Sequence, residues 1–432
     1  MKTLADWLTH LESLHPKGQA GIELGLERVA RVKEKLGQRA ACPVITVGGT
    51  NGKGSVCAYL ETILDRAGYR VGCYTSPHLL AYNERVKLNG RPASDEALCA
   101  AFAKVEAARG DEALTYFEFG TLAAWEVFAA AGVEAIVLEV GLGGRLDAVN
   151  IYDADVAVLT SIALDHTDWL GPTRDDIGYE KAGIARAGKA LVCADPKPPQ
   201  RLLDQVAAIG AELRLIGRDF GFERAGDELN QWRYWSRLDG QIVKRSGLAY
   251  PGLRGGIQLR NASAALAALD GVRVALPVSM GAIRRGLIEV ELPGRFQVVP
   301  GQPAIVLDVA HNPEAAAVLA DNLGTMGFFA TTYAVVGMLA DKDIASTLAA
   351  LKGKVEYWYL ADLDVPRGAA ATQLQTAVAS LGGEVRLFAS PQLAVAAAAE
   401  QAKDSDRIVA FGSFHTVAAV SATLRSLRKP HV

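Results

Sequence analysis

The run Val44-Ile45-Thr46-Val47 is apolar and β-branched, the pattern of a buried strand. It leads straight into Gly48-Gly49-Thr50-Asn51-Gly52-Lys53-Gly54-Ser55, and a helical pattern then starts at Ser55 and carries Val56, Tyr59, Leu60 and Ile63. A strand, a glycine turn with a lysine, and a helix make a phosphate loop. Amides freed by the glycines point at an anion, the helix N-terminus adds partial positive charge, and the lysine neutralises the outer phosphates. The match to G-x-x-x-x-G-K-[ST] departs in two places. Val47 stands where the first glycine belongs, and Gly54 separates Lys53 from Ser55. Taken alone, the stretch also fits an ordinary glycine-rich strand–helix turn.

The rest of the chain repeats the alternation. Helical spacing covers Leu4 to Leu14 and Leu26 to Val32, with a glycine-flanked loop, Gly21 to Gly25, between them. Strand-like runs follow at 69–74, 135–140 and 156–160, helical ones at 94–109 and 119–131, and Asn89-Gly90 reads as a hairpin turn. The stretch 218–243 is polar and aromatic, as in an antiparallel excursion, and helical patterns at 258–269 and 279–290 come next. After Pro293 a β/α alternation restarts at 304–309, 331–337, 355–360, 384–388 and 407–411, with Asn312-Pro313-Glu314 as a capped helix start. The predicted fold is α/β: a mostly parallel P-loop domain over 1–292 and a smaller Rossmann-like domain over 293–432. In such sheets ligands bind outside the carboxyl ends of the strands. Lys53, Ser76, Glu139 and His166 all fall there.

A net charge of −3 carries no basic footprint, which argues against nucleic acid as a partner. Five cysteines, Cys42, Cys57, Cys73, Cys99 and Cys193, are odd in number and lack C-x-x-C spacing, so buried free thiols in a reducing compartment are expected. The first residues lack a secretory apolar region, and no run is long enough to span a bilayer, so a soluble cytoplasmic protein without membrane partners is expected.

Several further motifs stand in order: Thr75-Ser76-Pro77-His78, Glu139 to Asp147 (E-V-G-L-G-G-R-L-D), Asp165-His166, Glu180-Lys181-Ala182-Gly183-Ile184, Pro293-Gly294-Arg295 and Asp308-Val309-Ala310-His311-Asn312-Pro313. Together with Thr50 to Ser55 they resemble the folylpolyglutamate synthases of the Mur ligase superfamily, whose loop reads G-T-N-G-K-G-[ST]. The likeness spans nearly the whole chain. It extends to the bifunctional bacterial enzymes that also make dihydrofolate, through Thr115-Tyr116-Phe117-Glu118.

The resemblance implies an ATP-dependent ligase that joins L-glutamate to dihydropteroate and to reduced folates through an acyl phosphate. It implies that Thr50, Asn51, Gly52, Lys53, Gly54 and Ser55 hold ATP with Asn261, Arg295, Asp308 and His311, the last two from the second domain, so that the cleft closes on substrate. It implies two Mg²⁺ sites built from Ser76, Glu139 and His166, and a Lys181 carbamylated by CO₂, with Lys53, Lys181, His166 and Glu139 as the catalytic set. Glu23, Leu24, Gly25 and Leu26 fall on the substrate side, as do Thr115, Tyr116, Phe117, Glu118 and Ala148. Phe117 is expected to stack on the pterin and Thr115 to bond its polar edge, whereas Tyr116 reads as core. Arg145 and Asp147 either lie beside the pterin or form a salt bridge within the glycine loop. Ser413 and His415 fall on the glutamate side, and a monomer is expected. Two alternatives stand beside this: a monofunctional folylpolyglutamate synthase, and a P-loop nucleotide switch without ligase chemistry.

Overall fold

The computed structural model describes residues 3–15, 23–224 and 231–427. The chain separates into two compact units, one formed by 1–252 and 258–291 and the other by 253–257 and 292–432.

The first unit begins with helices α1 (Leu4–Leu14) and α2 (Glu27–Leu36). Its strands are β1 (Val44–Gly48), β2 (Val71–Tyr74), β3 (Val86–Leu88), β4 (Arg91–Pro92), β5 (Ala135–Glu139), β6 (Val156–Leu159), β7 (Ala190–Cys193) and β8 (Glu212–Leu215). They form one sheet in the order β4-β3-β2-β5-β1-β6-β7-β8, parallel from β2 to β8, with β3 and β4 as an antiparallel edge. Helices α3 (Lys53–Arg66), α4 (Asp95–Arg109), α5 (Tyr116–Ala131), α6 (Thr167–Leu170), α7 (Arg174–Ala182) and α8 (Gln200–Ile209) fill the crossovers. Strands β1, β2, β5, β6 and β7 are buried along their whole length, as expected for a parallel sheet covered on both faces. β1 is central, between β5 and β6, and its register pairs Val47 with Glu139 and Gly48 with Leu159. The ends of three neighbouring strands are therefore level.

The antiparallel excursion is present as β9 (Phe220–Arg224), β10 (Gln231–Leu238) and β11 (Gln241–Ala249), with 225–230 outside the described residues. It leads into α9 (Ile257–Gly271) and α10 (Met280–Glu289). One buried carboxylate ties it to α9. Asp270 accepts hydrogen bonds from Tyr234 Oη (2.8 Å) and Ser236 Oγ (2.9 Å), and pairs with the Arg245 guanidinium at 2.5 Å.

The second unit holds β12 (Gln297–Val299), β13 (Ala304–Leu307), β14 (Thr332–Val336), β15 (Tyr357–Ala361), β16 (Glu384–Phe388) and β17 (Arg407–Phe411), in the order β12-β13-β17-β14-β15-β16. Only β12 runs antiparallel. Helices α11 (Pro313–Gly324), α12 (Ile344–Ala349), α13 (Ala371–Val378), α14 (Pro391–Gln401) and α15 (Phe414–Leu427) connect the strands. α11 starts as its sequence predicts: Asn312 Oδ1 accepts the Ala315 amide at 3.0 Å and Pro313 takes the first helical position.

Three local expectations are corrected. α3 begins at Lys53 rather than Ser55, because Gly52 in a left-handed conformation (φ 89°) turns the chain straight into the first helical bond, Val56 N to Gly52 O. α5 begins at Tyr116 rather than Phe119, because Thr115 and Glu118 form a capping box. Cys57, Cys73 and Cys193 are buried free thiols, but Cys42 and Cys99 are only half-buried. Among the described residues no helix is long and apolar enough to cross a membrane.

Asp270→Asn leaves Arg245 without its counter-ion and is expected to lower unfolding stability by about 3–5 kcal/mol, the usual cost of breaking a buried pair from one side. Urea denaturation followed by tryptophan fluorescence reads this directly, since Trp232 and Trp235 lie on β10.

Candidate active site

The glycine loop after β1 is held from the neighbouring strand. The Thr50 amide donates to Ser161 O (2.7 Å), its hydroxyl accepts the Ala163 amide (3.0 Å), and Thr160 Oγ1 donates to Asn51 O at 2.6 Å. Gly49 lies so close to this seam that a Cβ there would sit 1.9 Å from Thr160 Oγ1 and 2.9 Å from the Thr160 amide, at a φ of 134°. Lys53 Nζ bridges the Gly49 and Thr50 carbonyls, each at 3.1 Å. From α9, Asn261 is buried, donates to Gln258 Oε1 at 3.1 Å and lies against Gly52, whose Cβ would meet its Oδ1 at 2.8 Å. Thr160, Ser161 and Ala163 were absent from the sequence expectation; threonine and serine at a strand end carry no distinguishing signal.

Next to this loop, Glu139 ends β5 as a buried carboxylate and accepts the Ser76 amide at 3.3 Å. His166 follows β6 in a left-handed conformation (φ 52°, ψ 39°), which a side-chain-bearing residue rarely adopts outside constrained sites. Its amide donates to Asp165 Oδ1 at 2.9 Å. The loop carrying it is braced by Arg174, which donates to Ile162 O (2.7 Å) and pairs with Asp195 (3.1 Å). Among the described residues no three His, Cys, Asp or Glu side chains converge as a ready-made metal cluster. The donors present, Ser76, Glu139 and His166, are mostly oxygen, which suits a hard divalent cation that keeps water and phosphate in its shell.

Lys181 lies in the last turn of α7 and is only 4% exposed. Burial, reinforced by the Lys53 ammonium, pulls its amine down to about 7, against the pull of Asp165 and Asp147. The helix reaches this position because the loop after β5 has no side chain in the way: a Cβ on Gly144 would sit 2.8 Å from Glu180 O. The Arg145 amide donates to Glu180 O (2.8 Å), and its guanidinium pairs with the Glu180 carboxylate (2.8 Å). Asp147 is buried and accepts the Leu142 and Val149 amides at 2.8 and 3.0 Å, capping the short turn Ala148–Ile151. Burial lifts its carboxyl to about 7, opposed by those amides and by Lys53. In place of a salt bridge within the glycine loop, Arg145 pairs with Glu180 on α7 and Asp147 caps the short turn that follows.

Thr115 is buried; its hydroxyl donates to Glu118 Oε2 (2.9 Å) and accepts the Glu118 amide (3.2 Å). Tyr116 packs edge-on against Tyr82, as the core reading anticipated. Phe117 is partly exposed and lies under the glycine loop, where a Cβ on Gly141 would meet its ring at 2.7 Å. Glu23 is placed by Arg28 and His15, and the Gly25 amide reaches Leu146 O at 3.4 Å; Gly21 and Ile22 lie outside the described residues.

In the second unit Asp308 is capped by the Phe296 and Ala310 amides, both at 2.8 Å, and burial raises its carboxyl against the pull of Arg295. His311 Nδ1 lies 2.8 Å from Val309 O, which assigns the proton to Nδ1 and leaves Nε2 as an acceptor in the neutral ring. Arg295 stacks over Phe414 at 5.0 Å. Ser413 is buried, with its Oγ accepting the Thr416 amide at 3.0 Å, and His415 is held below the usual histidine range by burial and Arg367.

Gly49→Ala cannot keep the observed loop, because the added carbon collides with backbone as well as side chain. Nucleotide affinity, read by titration calorimetry, is expected to fall at least about tenfold, while the far-UV circular dichroism stays unchanged.

Residues 47–269 match the family model for the Mur ligase middle domain, and 294–414 match that for the Mur ligase glutamate ligase domain. The chain is 47% identical over 426 residues to a dihydrofolate synthase/folylpolyglutamate synthase of Escherichia coli, covering 98% of this chain and 96% of that protein. A structure of E. coli FolC in complex with DHPP and ADP is similar with a TM-score of 0.91 at 46% identity, covering 99% of both chains. A bifunctional folylpolyglutamate synthase/dihydrofolate synthase from Yersinia pestis, complexed with AMPPNP and Mn ion, gives a TM-score of 0.89 at 48% identity over 98% of both chains. The sheet edge described above and these full-length similarities place the chain in the dihydrofolate synthase/folylpolyglutamate synthase family of Mur ligases.

Proposed function

We propose that this chain joins the amino group of L-glutamate to the carboxylate of dihydropteroate, giving dihydrofolate, and to the γ-carboxylate of reduced folates, with ATP converted to ADP and phosphate. The observation that supports the reading is the shared sheet edge: phosphate loop, Ser76, Glu139 and His166 follow the carboxyl ends of β1, β2, β5 and β6, and buried Lys181 lies near enough to Lys53 to feel its charge. Relatives of closely similar structure are described with ADP and DHPP, and with AMPPNP and Mn ion.

A carboxylate is a poor electrophile. Transfer of the γ-phosphoryl group makes it an acyl phosphate, which the glutamate amine attacks with loss of phosphate. The protein's part is positioning and charge neutralisation. Amides of Thr50 to Ser55 and the N-terminus of α3 hold the phosphates, and Lys53 meets the outer ones. Two Mg²⁺ ions held by Ser76, Glu139, His166 and a Lys181 carbamate would neutralise charge on the phosphate oxygens. Forming that carbamate needs a neutral amine: the nitrogen bonds to the carbon of CO₂ and releases a proton. An amine already near 7 is suited to it. Asn261, Arg295, Asp308 and His311 are assigned to the nucleotide. The 23–26 loop, Thr115 to Glu118, Arg145, Asp147 and Ala148 line the pterin side. Within that side Thr115 and Asp147 shape backbone, while Phe117 offers the ring face. His415 is assigned to glutamate, with Ser413 fixing its helix start.

Glutamate incorporation measured with dihydropteroate and, separately, with tetrahydrofolate tests the reading. Activity with both supports it, activity with tetrahydrofolate alone leaves a monofunctional synthase, and ATP turnover needing neither carboxylate would leave only a nucleotide switch.

Lys181→Ala is expected to abolish ligation without changing the fold, and a short carboxylate such as acetate with Mg²⁺ to restore part of it. The amine loses its charge as pH rises through about 7, so enzyme stripped of CO₂ should regain activity faster at about pH 8 than at about pH 6 when dissolved CO₂ is held at the same concentration at both. Equal recovery at both would remove the carbamate from the scheme. Glu139→Gln should lower turnover on the order of a hundredfold at saturating Mg²⁺, checked by single-turnover phosphoryl transfer.

A further inference from the structure

We infer that Arg28 positions the pterin-side pocket, holding two segments distant in sequence in register and so setting the affinity for dihydropteroate without touching it. The inference rests on the assignment above of 23–26 and 115–118 to the pterin side.

Arg28 is the second residue of α2, and its side chain is 16% exposed. Its guanidinium divides between two partners. Nε donates to Glu118 Oε2 at 2.8 Å. One terminal nitrogen pairs with the Glu23 carboxylate, and the other donates to the Glu23 backbone carbonyl at 2.9 Å. The 23–26 loop is thereby fastened to the first turn of α5.

Glu118 shows why the fastening needs a cation. Its side chain is 4% exposed. Oε2 accepts the Thr115 amide (2.8 Å), the Thr115 hydroxyl (2.9 Å) and Arg28, while Oε1 is buried with no hydrogen-bond partner. Arg28 is the ion-pair partner of Glu118 among the described residues, and removing one side of a buried pair is costly because the other is left uncompensated. Without the guanidinium, Oε2 loses one of its three donors and the buried carboxylate its counter-ion. The carboxylate is then no longer fixed, which loosens the cap that sets the start of α5 and the placement of Phe117 against Gly141. The loop side would shift as well, since the Gly25 amide bonds Leu146 O in the glycine loop. A lysine cannot reproduce this, because one ammonium lacks the planar fork that reaches two partners in fixed directions.

The test uses the full chain with Arg28→Ala, Arg28→Lys, Glu118→Gln and the Arg28→Ala/Glu118→Gln double variant. Steady-state kinetics vary dihydropteroate, ATP and glutamate in turn. The expected result is a KM for dihydropteroate raised about tenfold or more in Arg28→Ala, with kcat and the KM for ATP within about twofold of wild type. Arg28→Lys should fall between, and the double variant should be no worse than the worse single one. An unchanged KM for dihydropteroate in Arg28→Ala overturns the inference. So does a parallel loss of kcat and of affinity for every substrate with a lowered melting temperature, which is the mark of a merely stabilising ion pair. If Arg28→Ala does not fold, the lysine variant decides: a raised KM supports the inference and a wild-type KM overturns it. A wild type inert with both dihydropteroate and tetrahydrofolate would instead remove the pterin-side assignment, and the inference with it.

Discussion

The active edge of the first unit depends on an amine placed where its charge is poorly solvated. Lys181 sits inside the protein, with the Lys53 ammonium acting on it through the low-dielectric interior. Two like charges in one recess are tolerated because burial and mutual repulsion push one of them toward neutrality, while Asp147 and Asp165 set the balance. The surrounding architecture follows from making that recess. Gly144 lets the loop after β5 approach α7, and Gly49 lets the loop after β1 press on Thr160. The level ends of β5, β1 and β6 bring the three loops together.

Much of this was legible in the sequence, for identifiable reasons. Glycines with a lysine between a β-branched run and a helical pattern leave few other solutions, so the phosphate loop could be placed to within two residues. Parallel strands buried on both faces read as unbroken apolar runs, which is why β1, β5, β6, β13, β14 and β17 were visible. β7 and β8 were not anticipated: four-residue strands such as Ala190–Cys193 are too short to separate from a turn of buried helix. The antiparallel excursion was legible over 218–243 from Trp232, Tyr234 and Trp235 among polar residues, but its third strand runs on to Ala249 through a mostly exposed stretch that carried no signal.

The site was legible where chemistry forces the residue type and illegible where geometry does. Lys53 and Glu139 stood out as candidates because phosphate and metal chemistry call for such residue types at strand ends. By pattern alone, Lys181 resembles a solvated helix lysine; it is buried because a loop some forty residues earlier packs against it without a side chain. Thr115 resembled a ligand contact, and its hydroxyl turns out to cap a helix. Arg28 gave no signal, since its partner Glu118 lies 90 positions away and only tertiary structure pairs them.

The contact between the glycine loop and α7 also has a mechanical meaning. Gly144 lies against the backbone of α7, and the Arg145 side chain fills the space over Gly183. The Asn150 amide clamps Arg145 O and Gly183 O together at 3.0 Å each. With both carbonyls held by one amide and no side chain on Gly144 to hold the backbones apart, loop and helix pack as a single block. The depth at which the Lys181 amine sits is therefore fixed as much by the loop after β5 as by the helix that carries it.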